Sequence, residues 1–239
     1  MSPIHRFRRI GSTMDVLHAM AADGAADGTA VVAEEQTEGR GSRGRTWQSP
    51  RGGLWLSVLL RPPSPSGLDP MSLRVGLAVS GVLSALAAGD PVRLKWPNDL
   101  MLGARKVGGL LCEARWQGEA LGWVVVGVGL NVTNAVPADV RESAMNLADR
   151  LPGVSPESLV ERVVSAIRGI DVQSPSLTAR ELGAFQEVDW LAGRGLMSPI
   201  TGVADGIEPD GALRIRLPDG GLAVARAGPV ALAESSLRA

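Results

Sequence analysis

Lys95 and Lys106 are the only lysines in a chain of 239 residues whose 24 strong cations are otherwise arginine. They stand close together in Lys95-Trp-Pro-Asn-Asp-Leu and Lys106-Val-Gly-Gly-Leu-Leu. Lysine is a compact, strongly hydrated point charge, whereas arginine is a planar fork. Two lysines kept in one stretch of an arginine-using chain mark a place that needs a small ammonium, beside a carboxylate or a phosphoryl group. Pro97 ends a strand and presents Asn98 and Asp99 at its tip. Asp99 can meet Mg²⁺ through oxygen or water, since Mg²⁺ takes one or two carboxylates together with substrate phosphates. The same pair also suits an ordinary turn. Lys106 precedes Gly108 and Gly109 at the start of an apolar strand, where its side chain can enter a cleft as a fixed cation.

A second group lies upstream, in Gln36-Thr-Glu-Gly39-Arg40-Gly41-Ser42-Arg43-Gly44-Arg45-Thr-Trp47. Gly39, Gly41 and Gly44 match the dinucleotide fingerprint literally, but that fingerprint requires a helix opening at the glycines to hold a pyrophosphate. Here Pro50 and Gly52-Gly53 follow, then a strand. What remains is a loop whose glycines admit close backbone approach and whose arginines can fork onto phosphate or carboxylate. Its glycines have little to pack against, so the loop is expected to be mobile when empty. A third element, Gly127-Val-Gly129-Leu-Asn131, ends an apolar strand with two glycines that suit a passing ligand or a β-bulge equally. Asn131 can donate and accept at once, as an adenine edge requires.

Several elements must position these groups. Ser12 or Thr13 caps a helix carrying Met14, Val16, Leu17 and Met20. Strands are expected at Thr29 to Glu34, Leu54 to Leu60, Val92 to Trp96, Leu100 to Gly103, Val107 to Arg115 and Trp123 to Val128. A buried helix covers 71–88. Ser155-Pro156 opens another, with Leu159, Val160, Val163, Val164, Ile167 and Ile170 inward. A further helix spans 177–191. The first ten residues look basic and loosely patterned. The close-spaced, hairpin-like strands imply a mixed or largely antiparallel sheet in an α+β fold. From Gly193 onward the helical pattern stops. Domains 1–192 and 193–239 are expected, the second a small, shortened β module.

Hydrophobic residues are 45% of the chain, enough for a sizeable core, and a net charge of −1 disfavours a protein that coats nucleic acid or membrane. An arginine-glycine RNA tract is disfavoured for the same reason. The single cysteine, Cys112, sits in an apolar run and reads as a structural thiol. His5 and His18 have no acid or thiol at motif spacing. No signal peptide or long apolar segment appears, so the expectation is a cytoplasmic protein.

Gly-Ser-Thr near residue 12, the Gln36 to Trp47 loop, Lys95-Trp-Pro-Asn-Asp-Leu, Lys106-x-Gly-Gly-Leu-Leu and Gly127-x-Gly129-Leu-Asn131 together resemble the biotin protein ligase family. The resemblance covers about residues 10–135. It implies a catalytic domain like that of class II aminoacyl-tRNA synthetases, with a mixed sheet and flanking helices, followed by an SH3-like module. It implies that biotin and ATP form biotinyl-5′-adenylate, whose acyl group passes to a lysine of a biotin carboxyl carrier protein. No enzyme nucleophile is needed, in accord with the lack of a Ser-His or Cys-His pair.

By the same resemblance, Ser12, Thr13, Gln36 and Gly39 hold the ureido ring, and Gly108, Gly109, Gly127 and Gly129 wall the biotin site. Arg40 and Arg45 organise the loop over carboxylate and phosphate, and Lys106 bridges the biotin carboxylate and the α-phosphoryl group. Arg43, Arg45, Trp47, Asn98 and Asn131 serve the nucleotide, and Asp99 a Mg²⁺ ion. Met14 stands where relatives commonly carry Asn, and Ser42 where they often carry Arg. The motifs begin by residue 11, so the expectation is a ligase without the winged helix-turn-helix of many bacterial relatives and without DNA binding, monomeric or weakly dimeric. The competing readings are a lipoyl or octanoyl ligase with a longer apolar tunnel, and a biotin sensor that no longer transfers.

Overall fold

The computed structural model describes residues 2–87, 89–233 and 236. Strands β1 (Ile4–Phe7), β2 (Ala30–Ala33), β3 (Leu54–Leu60), β4 (Arg93–Lys95), β5 (Asp99–Leu102), β6 (Arg105–Gln117) and β7 (Ala120–Leu130) form one sheet in the order β1-β2-β3-β7-β6-β5-β4. β1 runs parallel to β2, and the other neighbours are antiparallel. The sheet is therefore mixed, as expected. β1 escaped sequence reading because it is a short, half-covered edge strand held by its pairing with β2, not by an alternating pattern of its own.

Both faces of the sheet are covered, so β3 is apolar at every position but Ser57 and buried throughout. Helix α1 (Thr13–Ala22) lies on one face, where Met14, Leu17 and Ala21 pack with Val31, Leu59, Trp123 and Val125. Its N-cap is Ser12, whose hydroxyl accepts from the Met14 amide at 3.3 Å. Helices α2 (Met71–Ser84) and α3 (Pro156–Arg168) cover the other face over Leu56, Val58, Val124, Val126 and Val128. Each such aliphatic side chain contributes about 1.5–3 kcal/mol on full burial. α3 opens with the expected Ser155 cap, closed reciprocally by Ser158. α2 stops at Ser84, short of the expected end. The chain tightens into i→i−3 turns at Leu86 and Ala87, and the Ser84 hydroxyl accepts from the returning Val92 amide at 3.1 Å. Residue 88, inside the expected helix, lies outside the described residues. α4 (Ala179–Val188) starts at a Thr178–Glu181 capping box and ends where the chain joins β4 through a Trp190 amide to Leu94 carbonyl bond.

The C-terminal segment forms a second, antiparallel sheet of β8 (Gly195–Ser198), β9 (Gly202–Ile207), β10 (Leu213–Arg216), β11 (Leu222–Ala225) and β12 (Ala231–Leu232), in the order β11-β10-β9-β8-β12. Gly211 and Gly220 turn its hairpins at φ 87° and 86°. One indole ties it to the larger sheet, Trp96 Nε1 donating to the Gly211 carbonyl at 2.9 Å, and just after α4 Trp190 Nε1 donates to the Gly103 carbonyl at 2.9 Å.

Candidate active site

On the α1 face of β7, side chains alternate as Trp123, Val125, Gly127 and Gly129, while Val124, Val126, Val128 and Leu130 face the other helices. On β6, Gly109 pairs with Gly129 and Leu111 with Gly127. Bulk is thus removed from one face only, which opens a pocket without thinning the core behind it. The indole of Trp47 lies on this glycine floor, since a Cβ on Gly129 would sit 2.8 Å from Trp47 Nε1 and one on Gly109 3.2 Å from its ring. Met14 covers the next glycine, with Sδ 2.8 Å from where a Gly127 Cβ would lie. The departure at position 14 therefore has a packing role.

One end of the pocket is a directed hydrogen-bond chain. Gln36 Oε1 accepts from the Thr13 amide at 2.8 Å and the Thr13 hydroxyl at 3.0 Å. That commits the Thr13 proton, so Ser57 Oγ donates to Thr13 Oγ1 across 2.8 Å. Gln36 Nε2 donates to Ser49 Oγ at 2.8 Å, and Ser49 donates to the Trp47 carbonyl at 3.0 Å. Ser57 and Ser49 were not singled out from sequence. Ser57 alone breaks the apolar run of β3 and lies opposite Gly127, a signal that could have found it.

The other end is cationic. Strict alternation from Gly109 would turn Lys106 to the wrong face. The register instead steps from Leu100↔Gly108 to Met101↔Lys106, so Val107 is a bulge that restores Lys106 to the pocket. Its Nζ donates to Asp99 Oδ1 at 2.5 Å and lies 5.0 Å from the Trp47 ring centroid. Arg40 and Arg45 reach the same pocket from the loop. The loop is a small hairpin: the Trp47 amide donates to the Gly39 carbonyl and the Gly41 amide to the Arg45 carbonyl, both at 2.8 Å. Arg45 folds back on Ser42, donating to its hydroxyl at 2.9 Å and its carbonyl at 3.2 Å. Arg40 Nε and Trp47 Nε1 are buried with no partner among the described residues. Two orphaned donors beside three cations describe a site built for an acceptor-rich, anionic ligand.

Residues 6–131 match the biotin/lipoate A/B protein ligase family. The chain belongs to that family. It is 36% identical over 152 residues to a bifunctional ligase/repressor of Bacillus spizizenii, covering 63% of this chain and 46% of that protein. It is 31% identical over 204 residues to a biotin–[acetyl-CoA-carboxylase] ligase of Paracoccus denitrificans, covering 80% and 85%. The biotin protein ligase of Aquifex aeolicus, solved with biotin and ATP, superposes with a TM-score of 0.79 at 27% identity, covering 98% of this chain and 99% of that one. The chain spans about half the length of the first curated relatives it matches.

In this family member, the pocket gathers Ser12, Thr13, Gln36, Arg40, Arg45, Trp47, Asn98, Asp99, Lys106, Gly109, Gly127 and Gly129. Other sequence candidates lie outside its lining. Gly39 packs under the Trp47 carbonyl and Ser49, so not every glycine of the loop is loose. Gly108 turns away from the pocket, onto Leu130. Arg43 is exposed at φ 61°. Asn131 is buried, its Oδ1 accepting from Asn134 Nδ2 at 3.2 Å. Asn98 lines the pocket but donates its Nδ2 to the Leu110 carbonyl at 2.7 Å, bracing β6. Lys95 pairs with Asp99 across β4 and β5 and lies over the Trp190 ring at 5.3 Å; burial lowers its pKa. Asp99 is the one carboxylate in the lining, and no group of three metal-ligating side chains exists among the described residues. That donor set fits Mg²⁺ arriving on nucleotide phosphates, not a protein-built cage. Burial pushes the Cys112 thiol up to about 12, so it holds no thiolate at neutral pH. No described helix is long and apolar enough to cross a membrane.

Proposed function

We propose that this chain is an ATP-dependent biotin protein ligase that forms biotinyl-5′-adenylate and transfers biotin to a lysine of a biotin carboxyl carrier domain. One observation carries the reading: a pocket with a hydroxyl-amide chain at one end has Lys106, Arg40 and Arg45 at the other, against a single carboxylate. A ureido head is rich in donors and acceptors and suits the first end. A carboxylate meeting a triphosphate suits the second. Thr13, Ser57 and Gln36 already satisfy one another, and what they have left for a ligand is a spare Gln36 N–H and hydroxyl lone pairs, which a ureido head can use and the apolar head of octanoate or lipoate cannot. The names of the Paracoccus and Aquifex relatives support the same substrates.

In the first step a biotin carboxylate oxygen attacks the α-phosphorus of MgATP, and the bond to the β-phosphate oxygen breaks to release pyrophosphate. Two anions must approach, so Lys106 Nζ neutralises both oxygens while Arg40 and Arg45 hold the phosphoryl group in line. Asp99 keeps the Lys106 ammonium in place before substrates arrive and is the residue that would hold Mg²⁺, which when bound would offset the charge of the nucleotide phosphates. Met14 and the indole of Trp47 exclude water from the mixed anhydride. In the second step the acceptor lysine amine attacks the acyl carbonyl, loses a proton and expels AMP.

The test is exchange of labelled pyrophosphate into ATP with biotin, octanoate or lipoate. Exchange with biotin alone is expected. Exchange with octanoate or lipoate instead would assign the other branch of the family, and exchange with none would leave a binding protein.

A further inference from the structure

His18 carries no catalytic motif in sequence, yet in the fold it is the centre of a second polar cluster behind the loop. Trp123 Nε1 donates to His18 Nδ1 at 3.0 Å. An indole nitrogen can only donate, so His18 Nδ1 accepts and Nε2 carries the proton. That proton is donated to Glu113 Oε2 at 3.2 Å. The same oxygen accepts from Arg40 NH2 at 3.3 Å and faces Arg115 NH2 at 3.6 Å. Arg40 NH2 also meets Asp15 Oδ1 of α1 at 2.9 Å. Arg40 therefore has two aspects. One terminal nitrogen is pinned between α1 and β6, and its Nε is the buried, unpartnered donor of a side chain that lines the pocket.

Within the loop, Arg45 bonds only to Ser42, and Arg43 makes no side-chain bond among the described residues. The Arg40 pair is thus the ionic tether between the arginine hairpin and the scaffold. Glu113 lines the depression on the far side of the loop and not the pocket, so it is placed to hold the loop without touching a ligand.

We propose that Glu113 is a positioning residue that latches the Gly39 to Trp47 hairpin over the pocket through Arg40, with the Trp123–His18 pair locking the direction of its carboxylate. The latch sets how long an activated acyl ligand is retained. Its acidic members are Glu113 and Asp15, its cations Arg40 and Arg115, and its neutral donor His18. The imidazole is fixed, not switched. Burial, then Arg115, lowers its pKa, and a second ring proton would oppose the Trp123 N–H.

The retention half of this proposal rests on the adenylation reading; the latch itself does not. Amide hydrogen exchange on the ligand-free protein therefore comes first. In Glu113→Ala, exchange at 40–46 should rise by about tenfold or more, with β2 and β3 unchanged. Asp15→Asn should move it the same way, and Glu113→Gln, which keeps an acceptor oxygen, should fall between. Glu113→Ala in an Arg40→Ala background should add nothing further, because the two act as one contact. Loop protection unchanged in both Glu113→Ala and Asp15→Asn, or additive effects in the double variant, would overturn the latch. In the Glu113→Ala single variant with biotin and ATP, release of the adenylate should quicken by about tenfold while the rate of pyrophosphate exchange at saturation stays within about threefold. A slower exchange with unchanged release would also overturn it. Failure of the unsubstituted protein to exchange with any acid refutes the adenylation reading, and the hydrogen-exchange result still decides the latch.

Discussion

The indole of Trp47 rests on Gly129, with Nε1 2.8 Å from the point where a Cβ would stand. Gly129 is paired with Gly109 across β6 and β7, so the sheet offers the ring a surface free of side chains. Gly129→Ala must lift the indole or move the strand, at about 1–3 kcal/mol for the overpacking. Because Trp47 can move with its loop, the expected result is a near-native melting temperature with KM for biotin raised severalfold. Isothermal titration checks it. Unchanged affinity would remove Trp47 from the ligand's surroundings.

Lys106→Arg keeps the charge but replaces a compact point donor beside Asp99 with a longer planar fork. Both Lys106→Arg and Lys106→Ala should lower the rate of adenylate formation by about 10²–10³, the range for loss of one preorganised charge donor. Single-turnover assays with biotin and ATP read it directly. Near-native rates for Lys106→Arg would mean that any cation serves there.

Ser42 receives two bonds from Arg45 and lines the pocket. An arginine at this position would supply another guanidinium and free Arg45 to turn inward. Ser42→Arg should slow dissociation of biotinyl-adenylate by about tenfold, the effect of one charge-assisted bond of about 1.5 kcal/mol. Equal off-rates for the two proteins would end this argument.

Asp189 is buried at the junction of α4 and the C-terminal sheet, and burial pushes its carboxyl up to about 6. Its folded value lies above the ordinary 3.8, so the native state binds more protons between the two. Stability therefore falls as pH rises from about 4 to about 6 and stays at the lower level above, a loss of about 3 kcal/mol. Asp189→Asn can still accept from the Leu191 amide. It should melt several degrees higher at pH 8, at about 2–4 °C per kcal/mol, and converge with the native chain near pH 4. An equal difference at both pH values would refute the assignment.

Much was legible locally. The Ser12 and Ser155 caps, the apolar run of β3, the Pro97 turn and the glycine-rich loop each express propensities within a few residues, and the motif set led to the family. Local patterns do not show which distant groups meet or which way a side chain faces. β1 became a strand only against β2. Strict alternation would have turned Lys106 away from the pocket, and the Val107 bulge against β5 reversed it. Ser57 entered the polar chain because β3 lies beside β7 under α1, and Asn131 was drawn to Asn134. His18 and Glu113 stand 95 residues apart in sequence and 3.2 Å apart in the fold. Residue types and short spacings determined which chemistry the chain carries. Strand register, a bulge and long-range pairing, set by burial of both sheet faces, decided which of those residues share one pocket.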